Sequence, residues 1–434
     1  MKSLLAILGA AGLVAVPARA ENWPQWRGPY FNGSTTEKGL PVEWSTNQGV
    51  AWVAPLPGYS GATPAVWDDS IFVSSPDAQN NLLLLCLDRK EGKVRWQKVV
   101  ASGEREKGRN NMASPSPATD GKSVFVLFGT GDLAAYDFSG TALWTRSLAK
   151  DYGRFSINWL YGSSPLLYQG KLYIEVLQSS RMRSRDSQAT DDKPEREAFL
   201  LCLDPNTGRN LWRQVRPTDA VSESQEAYST PIPCAGSNGT EVIVVGGDYT
   251  TAHSPDTGAE LWRCGGLDDG KEESWRVVPS PVVAAGMIIA CGPKRDPVLG
   301  IKDGGKGLVT DTHIAWRFKE YPSDCVTPLF YEGKLFVLDG DRQMMTCLEP
   351  KTGEKKWQGN LGVREIFRAS PTGADGKIYC LSENGTVVVL EAGDAFKVLS
   401  TIRMGESPVR ASIAVSKGQL FIRTAKNLYC IGKP

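Results

Sequence analysis

The chain has 434 residues, 49 of them basic and 48 acidic, and 41% of them hydrophobic. That balance leaves no net charge to draw it to nucleic acid or to an anionic membrane surface. The length allows one large domain or two ordinary ones, and beyond the N-terminus no stretch approaches the ~18 apolar residues of a membrane span.

Met1–Ala20 reads as a secretory signal peptide: Lys2, the apolar run LLAILGAAGLVAV, then Ala18-Arg19-Ala20 before Glu21. No cysteine follows that run, so a lipid anchor on a new N-terminus is not expected. The pattern predicts a soluble periplasmic or secreted protein. Residues 21–41 read as an extended N-terminal segment. Next comes VEWSTNQGVAWVA at 42–54, with a turn glycine (Gly49) and a tryptophan (Trp52) but no strand before them.

From there a dodecapeptide recurs: CLDRKEGKVRWQ at 86–97, AYDFSGTALWTR at 135–146, CLDPNTGRNLWR at 202–213, AHSPDTGAELWR at 252–263 and CLEPKTGEKKWQ at 347–358. Each parses as strand, turn, strand, and recurrence at this scale marks an array. The pairs Gly92–Trp96, Gly140–Trp144, Gly208–Trp212, Gly258–Trp262 and Gly353–Trp357 keep one spacing, which fixes hairpin register and puts each Trp on the same side. Trp52, Trp96, Trp144, Trp212, Trp262, Trp316 and Trp357 are therefore expected to be structural. Leu211 and Trp212 point to opposite faces, so both faces of the sheet should be covered. A buried Trp212 would cost ~3–5 kcal/mol on truncation to Ala.

A second signal precedes each hairpin, Ser/Thr-Pro followed by apolar residues, at Thr63, Ser116, Ser164, Thr230, Ser280, Thr327 and Ser370. Proline cannot donate to a ladder, so this strand belongs at a sheet edge, the one facing a central channel. One unit is four short strands. The fifth unit ends in an altered HIAW (Trp316), and the seventh carries Leu399 where the others have Trp. An eighth start, VRASIAVSKGQLFIRTAKNLYCIG, lacks its last strand, which VEWSTNQGVAWVA supplies from the other end. The expectation is all-β: an eight-bladed propeller of four-stranded antiparallel blades over residues 42–434, closed by the N-terminal strand completing the C-terminal blade. A charged interruption at about 179–197 reads as a mobile surface loop.

Nine cysteines include Cys86, Cys202, Cys347 and Cys430 at one repeat position, expected to be small buried residues. Cys234, Cys264, Cys291, Cys325 and Cys380 could include a pair, and the odd total leaves at least one free thiol. His253 and His313 both fall in hairpins, with His253 replacing a strand Leu. No H-x-x-x-H, G-x-S-x-G or P-loop is present. A calcium site built from scattered oxygens is left open.

The loops entering the Ser/Thr-Pro strands converge on one channel mouth. They bring Arg109, Arg276, Arg368 and Arg410, suited to a carboxylate or phosphate. Asn158, Trp159, Tyr161, Tyr228, Trp275 and Phe367 would add contact area. Glu226, Glu273, Asp324 and Glu365 offer counter-charges, and the arginines would then tie blades together as ion pairs. The candidate ligand-binding set is Arg109, Asn158, Trp159, Tyr228, Trp275, Arg276, Asp324, Arg368 and Arg410.

The repeated D-x-x-T-G-x-x-x-W hairpin with Ser/Thr-Pro starts resembles the pyrroloquinoline quinone (PQQ)-type β-propeller repeat over nearly all of 42–434. The stretch Trp23-Pro24-Gln25-Trp26-Arg27-Gly28-Pro29 is similar to one found in secreted bacterial PQQ-binding-like repeat proteins. The resemblance implies two kinds of relative. Quinoprotein dehydrogenases hold PQQ with calcium, an aspartate base, a tryptophan beneath and a vicinal disulfide above, and no Cys-Cys occurs here. The propeller subunit of the outer-membrane barrel-assembly machine (BamB) binds protein partners without catalysis. The expected function is accordingly a non-catalytic, monomeric, exported binding or scaffold module taking an envelope protein or a small ligand at the channel mouth. The alternative is a PQQ-dependent oxidoreductase, and a third reading is carbohydrate binding through the rim aromatics.

Overall fold

The structure, a computed structural model, describes residues 21–180, 196–268 and 270–433. Residues 1–20, expected to be a signal peptide, and residues 181–195 of the charged interruption lie outside the described residues.

Eight sheets form the ring, each with its four strands in simple antiparallel order. Blade 1 runs outward through Ala65–Trp67, Ser70–Pro76, Asn81–Asp88 and Val94–Ser102. Blades 2 to 7 begin at Ala118, Leu166, Ile232, Val282, Leu329 and Thr372. Every innermost strand thus starts two residues after its Ser/Thr, where the proline leaves no ladder donor to waste. The hydrophobic clusters lie between consecutive blades, because the middle strands are apolar on both faces.

Blade 8 is built from both ends of the chain. Ala414–Ser416, Gln419–Arg423 and Asn427–Ile431 are completed by Val50–Pro55, with Trp52 opposite Cys430. The same cross-strand pair recurs as Cys86–Trp96, Cys202–Trp212 and Cys347–Trp357. In all eight blades the register slips by one residue beside this position. A bulge there bends the outer strand and turns the Trp toward the next blade.

That tryptophan is a docking element. The Trp144 ring covers Gly208 of the following blade, whose φ of +67° and lack of a side chain are both required, since a Cβ would stand 2.6 Å from the ring. Its indole N–H donates to the Pro205 carbonyl at 2.8 Å. Trp52, Trp96, Trp212 and Trp316 repeat the arrangement on Gly92, Gly140, Gly258 and Gly353. Because the ring sits at an outer seam, Trp212 is only half-buried and Leu211 is 51% exposed, so the expected coverage of both faces fails at the outermost strand.

Two blades depart from the pattern. Blade 5 inserts Gly307–Leu308, which adds a parallel fifth strand to blade 4, and the helical turn Thr310–His313 before its outer strand Ile314–Phe318. No turn glycine awaits Trp262, which is fully buried and donates instead to Glu241 Oε2 of its own blade at 3.1 Å. In blade 7 the residue in the tryptophan's register is Ser400, opposite Val389, and Leu399 is the bulged residue. Gly49 of blade 8 is accordingly packed against Trp44, which precedes it in the chain.

All nine cysteines are free, and all but Cys325 are buried. His253 is buried, with Nδ1 3.0 Å from the Gly258 carbonyl and Nε2 3.0 Å from Thr251 Oγ1.

Candidate functional site

The Ser/Thr of the eight inner strands form a closed belt. Thr63 N–H donates to Ser116 Oγ, Ser116 to Ser164, Ser164 to Thr230 and Thr230 to Ser280, at 2.9–3.0 Å. Ser280 continues to Thr327, Thr327 to Ser370, Ser370 to Ser412 and Ser412 back to Thr63, at 3.0–3.1 Å. In seven blades proline after the Ser/Thr ends the ladder there, and in blade 8 Ile413 takes its place; each Ser/Thr amide finds its acceptor on the next blade. Each bond contributes on the order of 1 kcal/mol, and the belt links all eight blades around the channel.

The N-terminal segment closes one end of that channel. It crosses beneath the inner strands on the face opposite the arginine loops. Trp23 pairs with Val66, the Pro24 carbonyl accepts from Thr119 N–H, and the Gln25 side chain bonds both ways with Leu167. Arg27 is buried and donates to the carbonyls of Asn32, Pro328 and Pro371 at 2.9–3.0 Å. Burial holds Arg27 down at about 9. Residues 25–33 are turns, so the segment expected to be extended folds into a plug. Trp26 rises from it to donate to Ser280 Oγ at 3.1 Å.

The result is a blind cup of ≈ 470 Å³, floored by Trp26 and walled by Ser116, Ser164, Thr230, Ser280, Thr327 and Ser370. Arg109, Trp159, Tyr228, Arg276, Arg368 and Arg410 line it toward the mouth. A small ribbon, Glu106–Lys107 with Asn110–Asn111, carries Arg109 at its turn, and Trp159 packs on Gly108. No carboxylate or imidazole lines the cup among the described residues.

Each rim arginine has a carboxylate beside it. Arg410 Nε donates to Glu383 at 2.7 Å, and its Nη1 donates to Tyr59 Oη and the Arg109 carbonyl. Arg368 Nη2 donates to Asp341 at 2.6 Å. Arg276 lies 3.7 Å from Glu223 and 3.5 Å from Asp324, and Arg109 lies 3.8 Å from Glu383. Glu383 and Asp341 stand in loops between second and third strands, on the same face as the arginine loops. They escaped the sequence reading because only the loops entering the inner strands looked convergent.

Three expected rim residues do not line the cup. Asn158 stands behind Trp159, donating to Glu226 and Glu223. Asp324 braces Arg276 and accepts from Lys294 N–H. Trp275 is tied by its backbone N–H to Ser224 Oγ, away from the cavity. Tyr161 and Phe367, expected at the mouth, are buried: the apolar alternation of their loops turns them inward. Glu226 accepts from Ser179 Oγ and Asn158 N–H, Glu365 accepts from the Ser382 and Thr386 hydroxyls, and Glu273 is exposed. The lining residues outside the expected set include Trp26, Asn110, Ser114, Cys325 and the belt hydroxyls. Nothing local marks Trp26 as a floor, although its WPQWRGP setting singles the stretch out. Burial, with Asp324 beside it, pushes the Cys325 thiol up to about 12, so it is neutral at ordinary pH.

Among the described residues no helix is long and apolar enough to cross a membrane. The family model described as "Outer membrane protein assembly factor BamB" matches residues 32–186, 196–310 and 310–428. No curated protein sequence matches the chain. Solved structures similar to it include BamB from Moraxella catarrhalis, at 15% identity over 88% of this chain and 99% of that one, with a TM-score of 0.61. Quinohemoprotein alcohol dehydrogenase from Comamonas testosteroni matches at 13% identity over 97% and 82%, with a TM-score of 0.67. A europium-containing methanol dehydrogenase matches at 12% identity over 94% and 90%, with a TM-score of 0.63. At these identities the likeness concerns the fold.

Proposed function

Given that the chain belongs to the family described as outer membrane protein assembly factor BamB, we propose that it is a non-catalytic binding propeller that holds a ligand or partner segment in its cup. The reading takes the protein as exported, on the strength of Met1–Ala20. One observation supports it above the rest: the cup is lined by arginines, hydroxyls and aromatics, with no side chain suited to abstract or relay a proton at neutral pH.

The PQQ-and-calcium reading is weaker on donor chemistry. The arginines suit the carboxylates of the quinone, but calcium takes about six to eight oxygen ligands, usually including carboxylates. None lines the cup, and among the described residues no three His, Cys, Asp or Glu side chains are grouped to hold a metal. The carboxylates nearest the mouth face arginines, so no aspartate stands free as a base.

The test is dye-linked oxidation of alcohols and sugars by the purified protein with added PQQ and calcium. The expected rate equals that of the cofactor without protein. Protein-dependent turnover would overturn the reading.

A further inference from the structure

We propose that the α-ammonium group freed when the chain is cut before Glu21 is a structural cation, docking on the buried Glu37 carboxylate and fastening the N-terminal plug to blade 8. Removal of the signal peptide would then complete the ring rather than only shorten the chain. The proposal rests on the reading that the protein is exported and is independent of what the cup holds.

Every polar atom of Glu21 is engaged. Its N–H donates to Glu37 Oε1, and its carbonyl accepts from Ser416 Oγ at 2.7 Å. Its carboxylate accepts from the Tyr30 and Thr35 hydroxyls and from Thr36 N–H at 2.8 Å. Glu37 reaches the same blade, its Oε2 accepting from Gly418 N–H at 2.7 Å. Ser416 ends the innermost strand of blade 8 and Gly418 lies in the turn after it. Two residues thus tie the plug to the one blade that both ends of the chain build.

What this node lacks is a positive charge. Glu37 is 8% exposed, and a carboxylate so deeply buried is costly unless it is paired. Burial acts to raise the Glu21 carboxyl, but its bonds to Thr35, Tyr30 and Thr36 outweigh that and hold it below the usual range, so it is ionised too. Among the described residues no lysine, arginine or histidine forms an ion pair with either acid. The two neighbouring lysines serve other acids. Lys417 lies 3.6 Å from Asp68 and 3.7 Å from Asp69, and Lys38 is exposed within the field of Asp375. An amide at Glu21 brings Glu37 one proton and no charge. A free amine at the same nitrogen brings three protons and a full charge. The exit Ala18-Arg19-Ala20 sets the cut at that nitrogen, and a cut one residue away would displace the amine by about 3.8 Å.

The experiment compares two whole chains released from one removable N-terminal fusion, the first starting at Glu21 and the second at a glycine inserted before it. Each is unfolded in urea across neutral and alkaline pH, with and without Glu37→Gln, and the mass of the chain exported with its own signal peptide is measured. The chain starting at Glu21 is expected to have an unfolding constant about tenfold smaller near neutral pH, and Glu37→Gln should abolish that advantage. An amine that gains an anionic partner titrates higher in the folded chain. The advantage is therefore full below its unfolded value, about 8, and is lost as pH rises through the folded one. A neutral amide contact would show no such loss. Equal stability of the two chains, an advantage that survives alkaline pH, an equal effect of Glu37→Gln in both, or an exported chain that starts elsewhere than Glu21 would each overturn the proposal. Should the Glu37→Gln chains fail to fold, the pH profiles of the two unsubstituted chains decide. An exported mass that retains residues 1–20 removes the signal-peptide reading as well, and none of these outcomes bears on the cup, which the PQQ assay tests.

Discussion

Two blade seams that begin with the same dodecapeptide end differently. Between blades 3 and 4, half-buried Trp212 lies on Gly258 and donates to the Pro255 carbonyl at 3.2 Å. Between blades 4 and 5 the turn glycine is absent, and Trp262 is buried against the Glu241 carboxylate. Burial pushes Glu241 above the usual carboxylate range, with Trp262 only partly offsetting it. The seams show that the repeat specifies a tryptophan, while the neighbouring blade decides its job. Met by a glycine cradle it is a surface clasp. Without one it becomes core and draws a buried acid to its N–H.

The largest expected effect is at the irregular seam. Trp262→Ala leaves a cavity and strips Glu241 of its donor, and should lower stability by about 4 kcal/mol, read from urea midpoints. A loss no larger than at the regular seam would break the contrast. His253 beside it gives a pH signature. Burial outweighs its bond to the Gly258 carbonyl and holds it down to about 4, against an ordinary value of 6.5. The unfolded chain therefore binds the proton more readily. This contribution is full above pH 6.5 and is lost as pH falls toward 4, by about 3 kcal/mol relative to His253→Asn. Matched stability–pH profiles of the two proteins check it, and parallel curves would contradict it.

At the regular seam Gly258→Ala places a Cβ 2.4 Å from the Trp212 ring at φ +75° and should cost about 3 kcal/mol. Trp212→Ala should cost about 2 kcal/mol, below the value expected of a buried ring. The smallest effect sharpens the comparison most. In Trp212→Ala the Gly258→Ala penalty should shrink to about 1–2 kcal/mol, because strain remains but the clash is gone. Full additivity in that double-mutant cycle would remove the cradle from the account.

Blade number, strand order and ring closure were written in the repeat. Ser/Thr-Pro marks an edge strand because proline lacks a donor, and the split hairpin at Gly49–Trp52 and Cys430 must rejoin because each half is incomplete alone. Ser400, by contrast, took the tryptophan's register because the turn between Leu390 and its partner Val398 is one residue longer than that between Leu203 and Asn210. The arginines and Asp324 beside Arg276 were visible, but not Glu383 or Asp341, which come from different loops of the same face. The cup itself belongs to tertiary structure. Trp26 and Arg27 find partners as far along the chain as Ser280 and Pro371, and bonds spread that widely leave no period to read. Local pattern determined each blade because a blade is stabilised by residues close in sequence. The floor and the wall of the cup exist only once eight such units meet around one axis.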